Sequence, residues 1–180
     1  MKKFIKTLAI FALVAIMITS LAACGSTDAP GDGAEAGPDF SAYPAEFDSW
    51  TINDVQTYLT DCGLLGNEKF LLMPLSSGDV DVINASGGFM YMDAEAASVV
   101  DIVYAFDASD ADSQAALDSI IETKSIMLDG NPVAQMDAVL GQFAFSYTGG
   151  TDDAHISAFT QAITELGAQY GVEPDYLPEG

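Results

Sequence analysis

Arginine is missing from this 180-residue chain, histidine occurs once and cysteine twice. All five basic side chains are lysines, set against 27 acids, for a formal charge of −22. Without arginine the chain lacks the usual clamp for phosphate and carboxylate substrates. A strongly negative potential also repels nucleic acid and anionic headgroups, so neither is an expected partner. With so few histidines and cysteines there is no Cys-x-x-Cys or His-x-x-x-His spacing, and a zinc centre has no ligand set. No Gly-x-Ser-x-Gly elbow, P-loop, dinucleotide fingerprint or haem motif is present, and no cofactor is expected. The one marked apolar core, Leu8 to Ile18, falls short of the roughly 20 residues that a membrane span needs.

What the chain does have begins at its amino terminus. Lys2, Lys3 and Lys6 form a basic start, and Phe4 to Ile18 is apolar apart from Lys6 and Thr7. Thr19 and Ser20 follow, and then Leu21-Ala22-Ala23-Cys24, the layout of a secretory signal with a processing site. The Leu-Ala-Ala-Cys ending resembles the lipobox of bacterial lipoproteins. That resemblance implies a signal peptide over residues 1–23, cleavage before Cys24, and a diacylglyceryl group on Cys24 that anchors the chain to the extracytoplasmic side of the cell membrane. Two acyl chains hold a protein firmly where one holds it weakly. The alternatives are ordinary cleaved secretion and an uncleaved helix. Once the leader is removed, Lys69 and Lys124 alone face all 27 acids. Such a surface keeps a domain soluble, or else receives a cationic ligand. In layout the remainder resembles the small lipoproteins of anaerobic Gram-positive bacteria.

Residues 24–45 are rich in Gly, Ala, Asp and Pro and poor in large apolar groups, which predicts a flexible acidic tether. Residues 46–180 then suffice for one globular domain with its own core. Thr51 and Asp54 stand at the spacing of a capping box, and Ile52, Val55, Leu59 and Cys62 recur at helical period, with Gly63 placed to end the helix. Phe70 to Met73, halted by Pro74, reads as an edge strand. Val80 and Val82, the turn at Asn84 to Gly88 and the run Phe89 to Met92 read as a hairpin. Val99 to Phe106 reads as a central strand and Ala111 to Thr123 as a helix. Ser125 to Leu128 is a short strand before an Asp129-Gly130 turn. Val133 to Leu140 stays open between helix and strand. Gln142 to Tyr147 alternates as a strand, and a last helix begins at Asp152 or Asp153, with Gly167 expected to fray its end. The order predicts an α+β fold: a single domain with a mostly antiparallel sheet and helices packed on one face.

Candidate sites are few. Asp107, Asp110 and Asp112 offer oxygen ligands for calcium, but the run fits no EF-hand register, and a helix cap explains Asp110. Asp152, Asp153 and His155 gather at a helix start, where acids meet the positive end of the dipole, so capping is preferred to metal. Cys62 lies on the apolar side of its helix and is expected to be a buried hydrophobe. Paired carboxylates for glycoside hydrolysis cannot be singled out among so many acids. Tyr43, Phe47, Trp50 and Tyr58 cluster around the entry to the first helix; they either pack there or form a recognition surface for an extracytoplasmic protein, peptide or glycan. The expected function is a non-catalytic binding or interaction module at the cell surface, held to the membrane through lipid on Cys24. Alternatives are an accessory ligand-binding lipoprotein of a transporter or envelope assembly, and then a carboxylate-dependent hydrolase. Intact mass spectrometry of the chain purified from its host is expected to show a diacylglyceryl-modified Cys24 at the new amino terminus. A full-length, unacylated polypeptide in the soluble cell interior counts against this.

Overall fold

The computed structural model describes residues 38–65, 70–93, 98–149 and 152–178. Residues 1–37, which include the expected leader, Cys24 and most of the expected tether, lie outside them. Helix α1 (Ile52–Asp61) begins as its sequence dictates. Asp54 N–H donates to Thr51 Oγ1 at 3.4 Å, while the Asp54 carboxylate accepts from Thr51 N–H at 2.7 Å. Such a box is worth about 1 kcal/mol. Gly63 adopts φ +72° just past the helix, and Leu64 N–H closes back on Leu59 O at 3.0 Å.

Strand β1 (Phe70–Pro74) pairs antiparallel with β2 (Gly87–Asp93). Between them Ser77–Asp81 forms a five-residue helix, α2, which corrects the expectation of a strand at Val80 and Val82. Ser76 and Asp79 form a second capping box, and Val80 turns into the core. On the side where the Val80 and Val82 strand was expected, β2 pairs with β1.

Strand β3 (Ser98–Ala105) leads to helix α3 (Ala111–Thr123), and strands β4 (Ser125–Leu128) and β5 (Asn131–Gln135) form a hairpin. Asp129 and Gly130 both take left-handed conformations at its tip, as a tight two-residue turn requires. The stretch left open at Val133 to Leu140 divides into β5 and β6 (Ala138–Leu140), with Met136 and Asp137 between. Strand β7 (Phe143–Ser146) and helix α4 (Asp153–Tyr170) complete the domain.

The main sheet runs β1-β2-β3-β7-β6 with every neighbouring pair antiparallel. The fold is the α+β single domain that the element order predicts. Alternation along the strands sorts the core. Phe143, Phe145, Ala138 and Leu140 face α1 and α4, joined by Val55, Tyr58, Leu59, Phe159, Ile163 and Leu166. Ala144 and Val139 point the other way and meet Val80 of α2, Leu117 and Ile120 of α3, and Ile126 of the hairpin. The longest helix and α1 hold the face expected to carry helices, and α3 with the small hairpin fills part of the opposite one. β1 lies at one edge of the sheet, where its proline predicted it. The β6 edge receives the carboxyl-terminal segment: Asp175 N–H donates to Val139 O at 3.0 Å, and Tyr176 pairs with Val139.

Helix α4 runs through Gly167 without fraying and ends at Gly171, whose φ of +68° lets the chain reverse. The reversal brings the Val172 carbonyl onto the point that a Cβ on Gly167 would occupy, with Leu140 Cδ1 at 3.1 Å. Glycine is required here by close approach. Gly167→Ala is expected to destabilise the domain by about 2 kcal/mol or more, where an exposed helical position would gain from the change. Urea unfolding measures it, and a neutral or stabilising result counts against this packing.

Candidate functional site

The expected aromatic cluster exists and is larger than its sequence spacing implied. Asp39 caps a 3-10 turn over Phe40–Ala42, and a second turn spans Phe47–Ser49. The ordered body therefore reaches back to residues that composition assigned to the tether, because Phe40 and Tyr43 have rings to pack against. Tyr43 stacks on Trp50 with ring centres 5.0 Å apart and planes 16° apart, while Tyr58 meets both edge-on. Trp50 and Tyr58 are 2% and 0% exposed, Phe47 is buried, and Tyr43 is half-buried. Of the two readings of Tyr43, Phe47, Trp50 and Tyr58, the structure holds the packed one.

The polar ends of these rings are satisfied. Tyr58 O–H donates to Ala162 O at 2.9 Å and joins α1 to α4. Trp50 Nε1–H and Tyr170 O–H both donate to Pro44 O, at 3.3 and 2.9 Å. Tyr43 O–H donates to the Asp61 carboxylate at 2.5 Å, and burial beside that anion pushes the phenol pKa up. Against the outer side of this cluster lies a cleft of about 500 Å³, lined in part by Phe40, Glu46, Phe47, Asp48, Gln169 and Tyr170.

A pairing that the sequence did not announce involves His155. Its backbone N–H donates to the Asp152 carboxylate at 2.9 Å, so Asp152 is the helix cap. Its ring turns inward, and Nε2 lies 2.9 Å from Oδ1 of Asp101 on β3, a carboxylate only 2% exposed. Asp101 shares its strand parity with the buried Val103 and Ala105, and that lone acid in an apolar strand was the available signal. Burial raises the Asp101 pKa, an effect that the His155 hydrogen bond opposes. The same hydrogen bond holds the His155 pKa above its ordinary value.

The other buried acid, Asp137, is fully engaged. It accepts from Tyr147 N–H at 2.7 Å, Thr148 N–H at 2.9 Å and the Thr148 hydroxyl at 2.8 Å, which fixes the exit from β7. The two buried acids thus serve separate partners. Asp110 caps α3, Asp107 accepts from Ser109 N–H at 2.8 Å, and Asp112 is exposed. Asp153 sits in the first turn of α4. Among the described residues, no group of three His, Cys, Asp or Glu side chains converges as a metal site. Cys62 is half-buried, and desolvation raises its pKa, away from thiolate chemistry.

The sheet carries a feature that spacing alone did not show. Leu71, Met92 and Val99 stand in one cross-strand row, and Met73, Met90 and Ile102 in the next. These side chains alternate with the buried Phe89, Tyr91 and Val103, so they occupy the opposite face. None belongs to either core cluster. Leu71, Met73 and Val99 are 54%, 42% and 41% exposed. The result is a methionine-bearing apolar surface across β1, β2 and β3, next to a β1 edge that no other described strand pairs with.

No helix among the described residues is long and apolar enough to cross a membrane. No protein-family model, curated protein or solved structure matches the chain.

Both members of the His155–Asp101 pair hold protons more readily folded than unfolded. The stability that they contribute is therefore complete at acid pH and is lost as pH rises, for His155 as it passes from about 6.5 through its raised value. NMR titration of the single histidine is expected to give a midpoint above 6.5 that falls in Asp101→Asn. An unchanged midpoint in that variant counts against the pair.

Proposed function

We propose that this chain is a lipid-anchored, extracytoplasmic, non-catalytic module that docks a basic partner protein on the apolar face and open edge of its sheet. The observation that carries this reading is the double row Leu71–Met92–Val99 and Met73–Met90–Ile102, left outside both cores. Contiguous exposed apolar surface of this kind marks interaction sites, and methionine lets such a surface adapt to its partner. Among the described residues nothing pairs with the outer side of edge strand β1, to which an extended segment can add as a further strand.

The partner's chemistry follows from charge. Lys69 and Lys124 stand alone against 27 acids once the leader is gone. A second copy brings the same negative field and is repelled, as is an anionic lipid surface. A segment that alternates apolar with lysine or arginine side chains satisfies both the greasy face and the field around it. Lipid on Cys24 confines the search for such a partner to the membrane surface, where effective concentration compensates for a modest contact area. The Leu-Ala-Ala-Cys processing site and the basic leader support the anchoring half of the proposal.

Photo-crosslinking in the native host, from a reactive side chain placed at Leu71 or Met73, tests the docking half. Val133, also exposed and apolar but on the separate hairpin, is the control. Adducts to a cationic envelope protein are expected from positions 71 and 73 and not from 133. Adducts to lipid, to a second copy, or to nothing overturn the reading.

A further inference from the structure

Methionine is unevenly placed in this chain. Of its seven methionines, two lie in residues 1–37 and the others fall at positions 73, 90, 92, 127 and 136. Met136 is 1% exposed within the core, and Met127 is half-buried on the β4–β5 hairpin. Met73, Met90 and Met92 stand together on the apolar face of β1 and β2, outside both cores. Met73 is 42% exposed and is the direct cross-strand partner of the half-buried Met90. Met92, also half-buried, follows two positions along β2 and so shares their side of the sheet.

The one described thiol is a poor target for oxidants by comparison. Oxidants attack the thiolate, and burial raises the Cys62 pKa and keeps the proton on sulfur. Cys24 is consumed by lipid in the reading above. A thioether needs no deprotonation, so its attack depends on access alone. The acidic surface repels anionic oxidants such as superoxide and hypochlorite and admits neutral hydrogen peroxide.

We propose that Met73, Met90 and Met92 form a reversible oxidation site at which hydrogen peroxide turns the docking face from apolar to polar and so releases the partner. The release rests on the docking reading; the modification rests on the placement of the three thioethers. In each event the sulfur takes one peroxide oxygen: an S–O bond forms as the O–O bond breaks, and the second oxygen leaves as water. The sulfur gives up two electrons and the peroxide gains them. Sulfoxides on Met73 and Met90 stand opposite one another in the middle of the face. An apolar partner side chain then strips them of water without supplying a donor. Met136, shielded in the core, is spared, so the fold survives the switch. A methionine sulfoxide reductase, with electrons from a dithiol, restores the thioether and releases the oxygen as water.

The test starts from the chain purified from its host and exposed to hydrogen peroxide, with oxidation mapped by peptide mass spectrometry. Met73 is expected to react at least about tenfold faster than Met136, with Met90 and Met92 following and Cys62 unchanged. Equal rates at Met73 and Met136, or Cys62 reacting first, overturn the site. Retention on a hydrophobic column is expected to fall with oxidation and to recover with sulfoxide reductases for both epimers. In the triple variant Met73→Leu, Met90→Leu, Met92→Leu it is expected to stay constant. Retention that peroxide leaves unchanged, or lowers equally in the triple variant, overturns the change of polarity. Photo-crosslinking from position 71 in the host reads the consequence. Peroxide is expected to cut adducts at least about fivefold with the methionines present and not in the triple variant. Adducts that survive peroxide with the methionines present overturn the switch alone. Adducts missing before peroxide strike the docking reading and the release with it, and the first two measurements still decide the oxidation site.

Discussion

Everything else in this domain depends on how the rings around α1, α4 and β7 are buried without leaving a polar atom stranded. Cys62 is a free thiol, and no disulfide joins the described elements. Order therefore has to come from apolar packing. Tyr58, Trp50 and Tyr170 supply large apolar area, and each sends its donor to a main-chain carbonyl: Ala162 for the first, Pro44 for the other two. Tyr147 repeats the device, stacked on Phe159 at 4.5 Å with its hydroxyl 2.9 Å from Thr160 Oγ1. A ring that buries its body and satisfies its tip fixes position as well as energy, because one geometry meets both demands. The segment before α1 is drawn onto the domain by the same contacts, and Gln142 Nε2–H to Trp50 O at 2.7 Å ties that segment to the start of β7.

Where local chemistry decides structure, the sequence was readable. Thr51 and Asp54 specify the start of α1, Phe143, Phe145 and Tyr147 specify the buried side of β7, and Pro74 marks β1 as an edge. The alternation of Val80 and Val82 with acids misled, because two apolar residues spaced by two fit a strand as readily as a single helical turn. The Ser76–Asp79 box was the deciding local signal, and the claim of β1 on β2 was the deciding distant one. Gly167 read as a weak point because its role lies in the Val172 carbonyl that passes over it. The His155–Asp101 pair bridges 54 positions, beyond any spacing rule. Of the site candidates, the aromatic cluster was legible as a cluster, but its inward direction depends on α4, which completes the wall a hundred residues later.

The acidity of the chain becomes less diffuse once its carboxylates are assigned. Several cap helices or turns, where the positive end of the backbone dipole favours them. Two are buried and hydrogen-bonded, at places where β3 and β7 meet α4 or turn away. What remains is exposed charge, whose mutual repulsion opposes self-association through the apolar surface that the described residues leave on the sheet. Without that repulsion the row from Leu71 to Val99 is an invitation to self-association. Negative charge and exposed methionine are thus complementary features of one surface.

The carboxyl-terminal segment that lies along β6 carries a consequence for assembly. By pairing Tyr176 with Val139 it covers part of that margin of the sheet, while no described residue pairs with the outer side of β1. A sheet with two bare margins can grow without limit into a filament. Where one margin is covered, a strand added at the other leaves no second site from which the sheet can grow.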